Sequence, residues 1–331
     1  MKCNLNEIKL KKGSLIMKAA VVTDFNQAPQ YQDFADPVVE PGETEITVLA
    51  ASVNQVVRAI ANGSHYSSDH QLPMIPGVDG VGRTKDGQLV YFNANKPIYG
   101  ALAEKTAINS HLMVPLTGNV APEIIAATVN PAMSSYMAIE ARLGGDKING
   151  KKVVILGVTG NAGRLAVTVA KYFGAAEVIG VGRNAERLAE AEKLGATVVN
   201  LGNDEDVAKA LPQFADADVV LDYLWGDVTA KFMVPMLRLR ENHAQPLTWI
   251  EIGSIAGQTF ALPAAALRST NLTLVGSGIG SIDRRDFLGH MPGLLALIED
   301  GTLAVATTVF PLSTVHENWP TQTTNRVVFK P

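Results

Sequence analysis

The sequence predicts an α/β protein in which a doubly wound parallel sheet is joined to a second, mostly β domain. The sheet is predicted because a β-branched run ends in three spaced glycines within 152–163, and short apolar strands then alternate with helical segments as far as residue 276. The second domain is predicted because residues 17–129 contain short strands separated by Pro-Gly and Asp-Gly turns. A chain of 331 residues also exceeds one hydrophobic core of the usual size.

The segment from Lys152 to Gly163 reads KVVILGVTGNAG and is typical of a strand that leads into a helix with a phosphate between them. Gly157 permits the turn, Gly160 lets the backbone approach a pyrophosphate, and Gly163 lets the helix press against the sheet. The helix predicted over 164–173 directs unpaired N–H groups at the phosphates. Glycine spacing alone also fits an ordinary loop, but the surrounding pattern favours a dinucleotide. The predicted cofactor-binding loop comprises Gly157, Thr159, Gly160, Asn161, Ala162 and Gly163.

Five further strands are predicted after the glycine segment, each followed or preceded by a helical segment. They lie at 177–182, 197–200, 217–222, 247–252 and 271–276. A helix predicted over 185–194 stops at a glycine. Repeated strand–helix–strand units predict a parallel Rossmann sheet with the strand order 3-2-1-4-5-6, which places the cofactor over the carboxyl ends of strands one and four.

The end of the second predicted strand indicates which dinucleotide binds. An acidic residue there would accept hydrogen bonds from the ribose of NAD and repel the 2′-phosphate of NADP. The chain instead has Gly182, Arg183 and Asn184, with Arg187 one helical turn beyond Arg183. Two guanidinium groups that face one phosphate favour NADP(H), and Arg183 carries most of this inference. The alternative is that Arg187 is a solvated helix residue paired with Glu190.

Composition excludes several classes of function. A net charge of -4 and a hydrophobic content of 47% describe an ordinary globular protein with no basic excess that would attract nucleic acid. The single cysteine, Cys3, excludes an intramolecular disulfide framework. The sequence lacks both a signal-peptide pattern and an apolar run of about 18 residues, so a cytoplasmic location without a membrane partner is expected. Residues 1–16 carry four lysines and are predicted to be an N-terminal extension or, alternatively, a basic partner-binding tail.

Several motifs together resemble the medium-chain dehydrogenase/reductase superfamily, and within it the quinone oxidoreductase branch, over 17–331. Besides the glycine segment, they are MKAAVV from Met17, SVN from Ser52, IPGVDGVG from Ile75, LGA from Leu194, DVVLD from Asp218, and LTLVGS from Leu272 followed by Gly278. The resemblance implies a GroES-like barrel as catalytic domain, built from both chain ends around a central Rossmann domain, with the substrate between them.

The domain boundaries follow from this resemblance. We expect the first part of the catalytic domain over 17–130, the NADP-binding Rossmann domain over 131–270, and the sixth Rossmann strand with the return to the catalytic domain over 271–331. The last 50 residues, which include a helix over 294–299 and a strand over 326–329, are expected to belong to the first domain. A homodimer is also implied, because the apolar segment 271–275 is expected at a sheet edge.

No metal site is expected. Where the zinc-dependent branch has Gly-His-Glu, this chain has Gly77, Val78 and Asp79, and it has no cysteine beyond position 3. A cluster of His65, Asp69 and His70 is a substitute candidate for a metal site, but its serine-rich surroundings favour a polar lid segment.

The reaction expected is hydride transfer from NADPH to a small quinone or α,β-unsaturated carbonyl compound, without zinc. No tyrosine is followed by lysine four residues later, as short-chain dehydrogenases require, and no Gly-x-Ser-x-Gly nucleophile motif exists. A metal-free alcohol dehydrogenase or ketone reductase is the alternative. An NADPH-binding protein with little catalytic activity is the alternative from another class.

The resemblance also implies roles for single residues. Asn54 is expected to donate a hydrogen bond to the substrate oxygen, with a turn residue as the alternative. Tyr66 is expected to border the pocket or relay a proton, with a packed tyrosine as the alternative. Cofactor contacts, or alternatively ordinary loop roles, are expected for Ser134, Tyr223, Gly253, Ser254, Ser277 and Gly278. Val57, Ala59 and Ala61 replace polar family residues and predict a less polar pocket, and Leu201 stands where relatives have a tyrosine near the adenosine phosphate.

Overall fold

The computed structural model describes residues 15–331 except 66, 67, 69, 95, 279 and 322, and the side chains of 284 and 285 are also outside the description. Residues 1–14 of the predicted extension 1–16, including Cys3, therefore lie outside the described residues. Ile16 already belongs to the first strand. The chain forms two compact units. One comprises the described residues up to Thr128 together with Ala304–Pro331, and the other is Val129–Leu303.

The first unit is built mainly from strands. Its strands are β1 (Ile16–Val21), β2 (Gln30–Ala35), β3 (Glu43–Val53), β4 (Asp79–Thr84), β5 (Leu89–Asn93), β6 (Lys105–Asn109), β7 (Met113–Pro115), β14 (Thr307–Pro311) and β15 (Arg326–Lys330). Its short helices are α1 (Gln55–Ala61) and α9 (Val315–Asn318), and the helix α2 (Pro122–Met137) begins in it.

The strands of the first unit pair mostly antiparallel. One sheet has the order β14-β15-β3-β4-β5-β7, with β6 also paired to β3, and a second sheet contains β1 and β2. The long strand β3 organises the larger sheet, because it pairs with β4 on one side and with β6 and β15 on the other. Sequence analysis missed β2, β6, β7 and β14, whose polar and apolar residues do not alternate clearly.

The second unit alternates strands with helices. Its strands are β8 (Lys152–Leu156), β9 (Glu177–Gly182), β10 (Thr197–Asn200), β11 (Val219–Asp222), β12 (Leu247–Glu251) and β13 (Leu272–Gly276). Its helices are α3 (Asn161–Tyr172), α4 (Ala185–Lys193), α5 (Asp204–Ala215), α6 (Gly226–Leu239), α7 (Ala264–Ser269) and α8 (Arg284–Glu299), after a π-helical turn at Ala138–Gly144.

All six strands of this unit run parallel in the order β10-β9-β8-β11-β12-β13. This is the predicted 3-2-1-4-5-6 order, so the predicted fold class is confirmed. The strand β8 lies between β9 and β11, and Val154 of β8 is in register with Ile179 and Val220. The order reverses between β8 and β11, which is where doubly wound sheets bind nucleotides.

Two sequence expectations differ from the structure in this unit. The helix expected over 164–173 begins earlier, at Asn161, because its first turn starts directly after the glycine turn. The last 50 residues do not all join the first unit, since the segment up to Leu303 belongs to the second. The helix expected over 294–299 is only the end of α8, in which Met291, Leu294 and Leu295 are buried.

Aromatic and aliphatic side chains form the core beside β11 and β12. Phe214 of α5 and Phe232 of α6 lie with ring centroids 6.1 Å apart, and Trp249 of β12 is fully buried among them. Burial of such large rings is the main source of stability in a fold of this kind. Within the part of the chain that the structure describes, no helix combines the length and the apolarity needed to cross a membrane.

A buried carboxylate ends strand β11. Asp222 Oδ2 accepts hydrogen bonds from Thr229 Oγ1 at 2.6 Å and from Trp249 Nε1 at 3.0 Å. Its Oδ1 accepts from the backbone N–H groups of Leu224 and Trp225 at 2.9 and 3.0 Å. Four donors satisfy a fully buried charge, so Asp222 fixes the start of α6 against β12.

We expect Asp222→Asn to destabilise the protein by about 2–4 kcal/mol, because the amide would direct an N–H group at donors that now meet an oxygen. Thermal unfolding of the wild type and the variant measures this loss. Glu241→Gln, at an exposed position after α6, removes the same charge and is expected to change stability by less than about 0.5 kcal/mol. Equal effects of the two changes would contradict the role of Asp222.

Candidate functional site

The glycine turn between β8 and α3 presents uncapped backbone. Gly157 has a φ of 95°, and its N–H donates to the carbonyl of Val181 at 2.9 Å. The N–H of Gly160 donates to the carbonyl of Gly157 at 3.1 Å and closes the turn. Gly160 is the N-cap residue of α3, and no described side chain caps this helix end. The first-turn N–H groups are therefore available to an anionic ligand.

Close packing at Gly163 holds the helix on this turn. A Cβ atom at Gly163 would collide with the carbonyl oxygen of Gly157, whereas one at Gly160 would meet only that oxygen at 3.5 Å. Helix packing thus requires glycine at 163, and open space lies beside Gly160. Both features fit a dinucleotide phosphate that approaches the backbone.

The residues predicted at the end of β9 have different surroundings. The side chain of Thr159 fills the space beside Gly182, where a Cβ atom would collide with the threonine methyl group. Arg183 is exposed. Asn184 caps α4, because its Oδ1 accepts from the N–H of Arg187 at 2.9 Å.

Arg187 is not a solvated helix residue. Its side chain is only 12% exposed, and its Nη1 donates to Asn161 Oδ1 at 3.4 Å. The pairing with Glu190, which was the alternative interpretation, is present at 3.7 Å, but Arg164 Nη1 contacts the same Glu190 oxygen at 2.5 Å. Sequence analysis missed Arg164, since only the packing of α3 against α4 brings it to Glu190.

Ser134 and Tyr223 lie together although 89 residues separate them. Ser134 Oγ donates to the carbonyl of Pro131 at 2.7 Å and lies 3.1 Å from the Tyr223 hydroxyl oxygen. Burial raises the pKa of Tyr223 to about 12, so its hydroxyl keeps its proton at neutral pH.

The four loop residues predicted after β12 and β13 lie at the carboxyl ends of these strands. The N–H of Gly253 donates to the carbonyl of Asp222 at 3.2 Å, and that of Ser277 to the carbonyl of Glu251 at 2.8 Å. Ser254 Oγ accepts from Gln258 at 2.9 Å, and the N–H of Gly278 donates to Ser281 at 2.8 Å; both are local loop contacts. Sequence analysis did not single out Glu251 at this edge, where burial and Asp222 raise the pKa of its carboxyl.

The two polar atoms of the Asn54 side chain have different surroundings. It is the N-cap of α1, and its Oδ1 accepts from the N–H of Val57 at 2.9 Å. The residue is 4% exposed, and its Nδ2 has no hydrogen-bond partner among the described residues. Asn54 is therefore the N-cap residue of a helix, which neither interpretation predicted, and it also presents an unused donor.

A buried carboxyl in the same unit was missed as a functional candidate. Asp79 Oδ2 accepts from the Tyr91 hydroxyl at 2.9 Å, while Oδ1 has no partner within the described chain. Burial raises the pKa of Asp79 to about 6, against the opposing effects of the Tyr91 hydrogen bond and the charge of Arg326. The signal available in the sequence was an acidic residue inside an apolar, glycine-rich motif.

The structure describes the predicted histidine cluster only in part. Tyr66 and Asp69 lie outside the described residues. His70 contacts Phe25 edge-on, with ring centroids 5.8 Å apart, and burial lowers the pKa of His65. The residues that the structure describes contain no group of three or more potential metal ligands.

Comparisons with known proteins assign the chain to a family. Residues 162–296 match the family model for zinc-binding dehydrogenases. A protein of Emericella nidulans described as a probable NADPH-dependent quinone reductase is 32% identical over 361 residues, which cover 95% of this chain and 100% of that protein. The chain belongs to the medium-chain dehydrogenases/reductases, in their quinone oxidoreductase branch. It is an oxidoreductase of this kind, and the predicted family is confirmed. The residues matched by the family model do not include Gly77–Asp79.

Solved structures of the family share the fold. The quinone oxidoreductase of Thermus thermophilus superposes with a TM-score of 0.77 and 24% identity, covering 95% of this chain and 100% of that one. A mycobacterial quinone oxidoreductase gives a TM-score of 0.78 at 18% identity, with 95% of this chain covered and 100% of that one. At these identities the likeness shows the fold.

We expect Asp79→Asn to remove a pH dependence of stability. The folded-state pKa of about 6 lies above the ordinary value of 3.8, so between these values the folded chain holds a proton that the unfolded chain has released. Stability therefore falls as pH rises through this window, by up to about 3 kcal/mol. Urea unfolding midpoints at several pH values measure the fall. Asp86→Asn, in the exposed turn after β4, should leave the fall in stability with pH unchanged. An unchanged fall in Asp79→Asn would refute its assignment to Asp79.

Proposed function

We propose that this protein is an NADPH-dependent, zinc-independent reductase that transfers hydride to a quinone or an α,β-unsaturated carbonyl compound. The observation that carries the proposal is the side chain of Asn54. Its Oδ1 is held by the α1 N-terminus, which fixes the direction of an Nδ2 donor that has no partner among the described residues. A fixed, desolvated donor is suited to stabilise negative charge on an acceptor oxygen.

The glycine turn and the residues after β9 would hold the cofactor. First-turn N–H groups of α3 would bind the pyrophosphate, and Arg183 and Arg187 would bind the 2′-phosphate. Tyr223, with its hydroxyl held by Ser134, and the loops that begin at Gly253 and Ser277 would surround the nicotinamide end. When bound, NADPH supplies the hydride for the reaction.

The class of hydride acceptor follows from the limited strength of the single amide donor of Asn54. One amide donor is weaker than a metal ion, so it suits acceptors whose reduction leaves a delocalised anion. Quinones give phenolates and α,β-unsaturated carbonyl compounds give enolates, which water protonates. The buried residues of the helix that Asn54 caps, Val57 and Ala61, are apolar and cannot compete for its amide.

Relatives support this choice of cofactor and acceptor. The Emericella nidulans relative is described as a probable NADPH-dependent quinone reductase, and the Thermus thermophilus quinone oxidoreductase has a structure in complex with NADPH. Val78 also stands where the zinc-dependent branch has histidine, so that position offers no metal ligand.

We expect Arg183→Ala to weaken NADPH binding about tenfold and NADH binding less than about twofold, because the exposed guanidinium next to Gly182 would contact only the extra phosphate. Titration of each nucleotide followed by tryptophan fluorescence measures both dissociation constants. Lys193→Ala removes the same charge from the other end of α4 and should leave both unchanged. Equal losses for NADPH and NADH would overturn the NADP assignment.

We expect Asn54→Ser to lower the rate of NADPH oxidation by about 10²-fold while stability changes by less than about 1 kcal/mol. Serine also caps helices, so it keeps the bond to Val57 and removes only the amide donor. Single-turnover oxidation of NADPH by a panel of quinones and enones measures the rate. Asn54→Ala removes the cap as well and should reduce both rate and stability. Full activity of Asn54→Ser on every accepted compound would contradict the proposed role.

A further inference from the structure

Three charged side chains from two helices meet beside the glycine turn. Arg164 comes from the first turns of α3, and Arg187 and Glu190 are three residues apart on α4, so they share a helix face. The side chains of Arg164 and Arg187 are 18% and 12% exposed, whereas Glu190 is 43% exposed. Two cations and one anion leave a net positive charge at this point.

Glu190 divides its contacts unequally between the two arginines. Its Oε2 lies 2.5 Å from Arg164 Nη1 and 3.7 Å from Arg187 Nη1. The contact with Arg164 is a close, charge-assisted one, shorter than an ordinary hydrogen bond, and the contact with Arg187 is a looser ion pair. Arg187 also donates to Asn161 at 3.4 Å, which keeps its guanidinium at the N-terminus of α3 after Glu190 is released.

We propose that Glu190 is a specificity-determining residue for the cofactor, acting as a displaceable counter-ion that holds Arg187 until a 2′-phosphate takes its place. This inference rests on the proposed use of NADPH. Arg164 favours the exchange, because it keeps the Glu190 carboxylate compensated when Arg187 turns to the phosphate. NADH has no 2′-phosphate to replace Glu190 at Arg187, so the exchange does not strengthen NADH binding.

Substitutions of Glu190 and of Arg164 are expected to have opposite effects on NADPH affinity. In Glu190→Gln, Arg187 loses its competing anion and stays at Asn161, so NADPH binds about three- to fivefold more tightly while NADH binding changes less than about twofold. In Arg164→Gln, Glu190 has Arg187 as its remaining cation, so NADPH binds about threefold more weakly. In the double variant Arg164→Gln with Glu190→Gln, the loss caused by Arg164→Gln disappears, since the competing anion is gone.

The test is a double-mutant cycle on nucleotide binding, which needs no turnover. Dissociation constants for NADPH, NADH, 2′-AMP and 5′-AMP are measured by fluorescence or calorimetry for the wild type, both single variants and the double variant. The expected coupling appears with NADPH and 2′-AMP and is absent with NADH and 5′-AMP. Glu192→Gln removes the same charge from an exposed position two residues along α4 and should leave all four constants unchanged.

Each other result overturns the inference in a recognisable way. If Arg164→Gln weakens NADPH equally in both backgrounds, Arg164 acts directly on the phosphate and Glu190 is not a counter-ion. If Glu190→Gln weakens NADPH and NADH alike, Glu190 is only a structural support of α4. If the wild type binds NADPH tightly but Glu190→Gln leaves selectivity unchanged, this inference fails and the proposed function stands. If the wild type binds neither nucleotide, both fail.

Discussion

Backbone contact between helix α3 and the turn at Gly157 is the constraint on which the second unit depends. Because Gly163 has no side chain, the first turn of α3 rests on the carbonyl of Gly157 at the end of the central strand β8. That contact places the uncapped helix N-terminus at the reversal of strand order. It also sets Asn161 and Arg164 where α4 can meet them. The absence of a Cβ atom at Gly163 thus determines where the helix N-terminus and the charges around it lie.

Charges in this unit are compensated in two different ways. Asp222 is wholly enclosed and accepts hydrogen bonds from four fixed donors, so its negative charge serves the architecture. Glu190 is half-buried and lies between two arginines at unequal distances, and we propose that these partners exchange. The first arrangement resists change because any loss leaves donors unsatisfied, while the second fits the anion binding that we propose for this surface.

In the first unit, the side-chain amide of Asn54 has two roles. Its oxygen caps helix α1, and its nitrogen is a hydrogen-bond donor without a partner among the described residues. The capping bond from Val57 occupies the oxygen and thereby fixes the nitrogen. Asp79, buried close in sequence to the position of a zinc ligand in other branches, bonds to Tyr91 and faces the charge of Arg326. Polar groups with unfilled hydrogen bonds therefore remain where an apolar core would be more stable, which is typical of functional regions.

Local sequence signals were sufficient to predict the sheet of the second unit. The strands expected at 177–182 and 197–200 have these bounds, and the other predicted strands are within two residues, because β-branched runs and glycine turns act locally. The strand order and the glycine turn followed from the same local signals. Only the tertiary structure decided that Arg164 and Arg187 share Glu190, that Ser134 meets Tyr223, and that Asp79 is buried beside Tyr91. Apart from the pairing of Arg187 with Glu190 on one helix, these contacts join residues from different elements, so their geometry depends on how those elements pack.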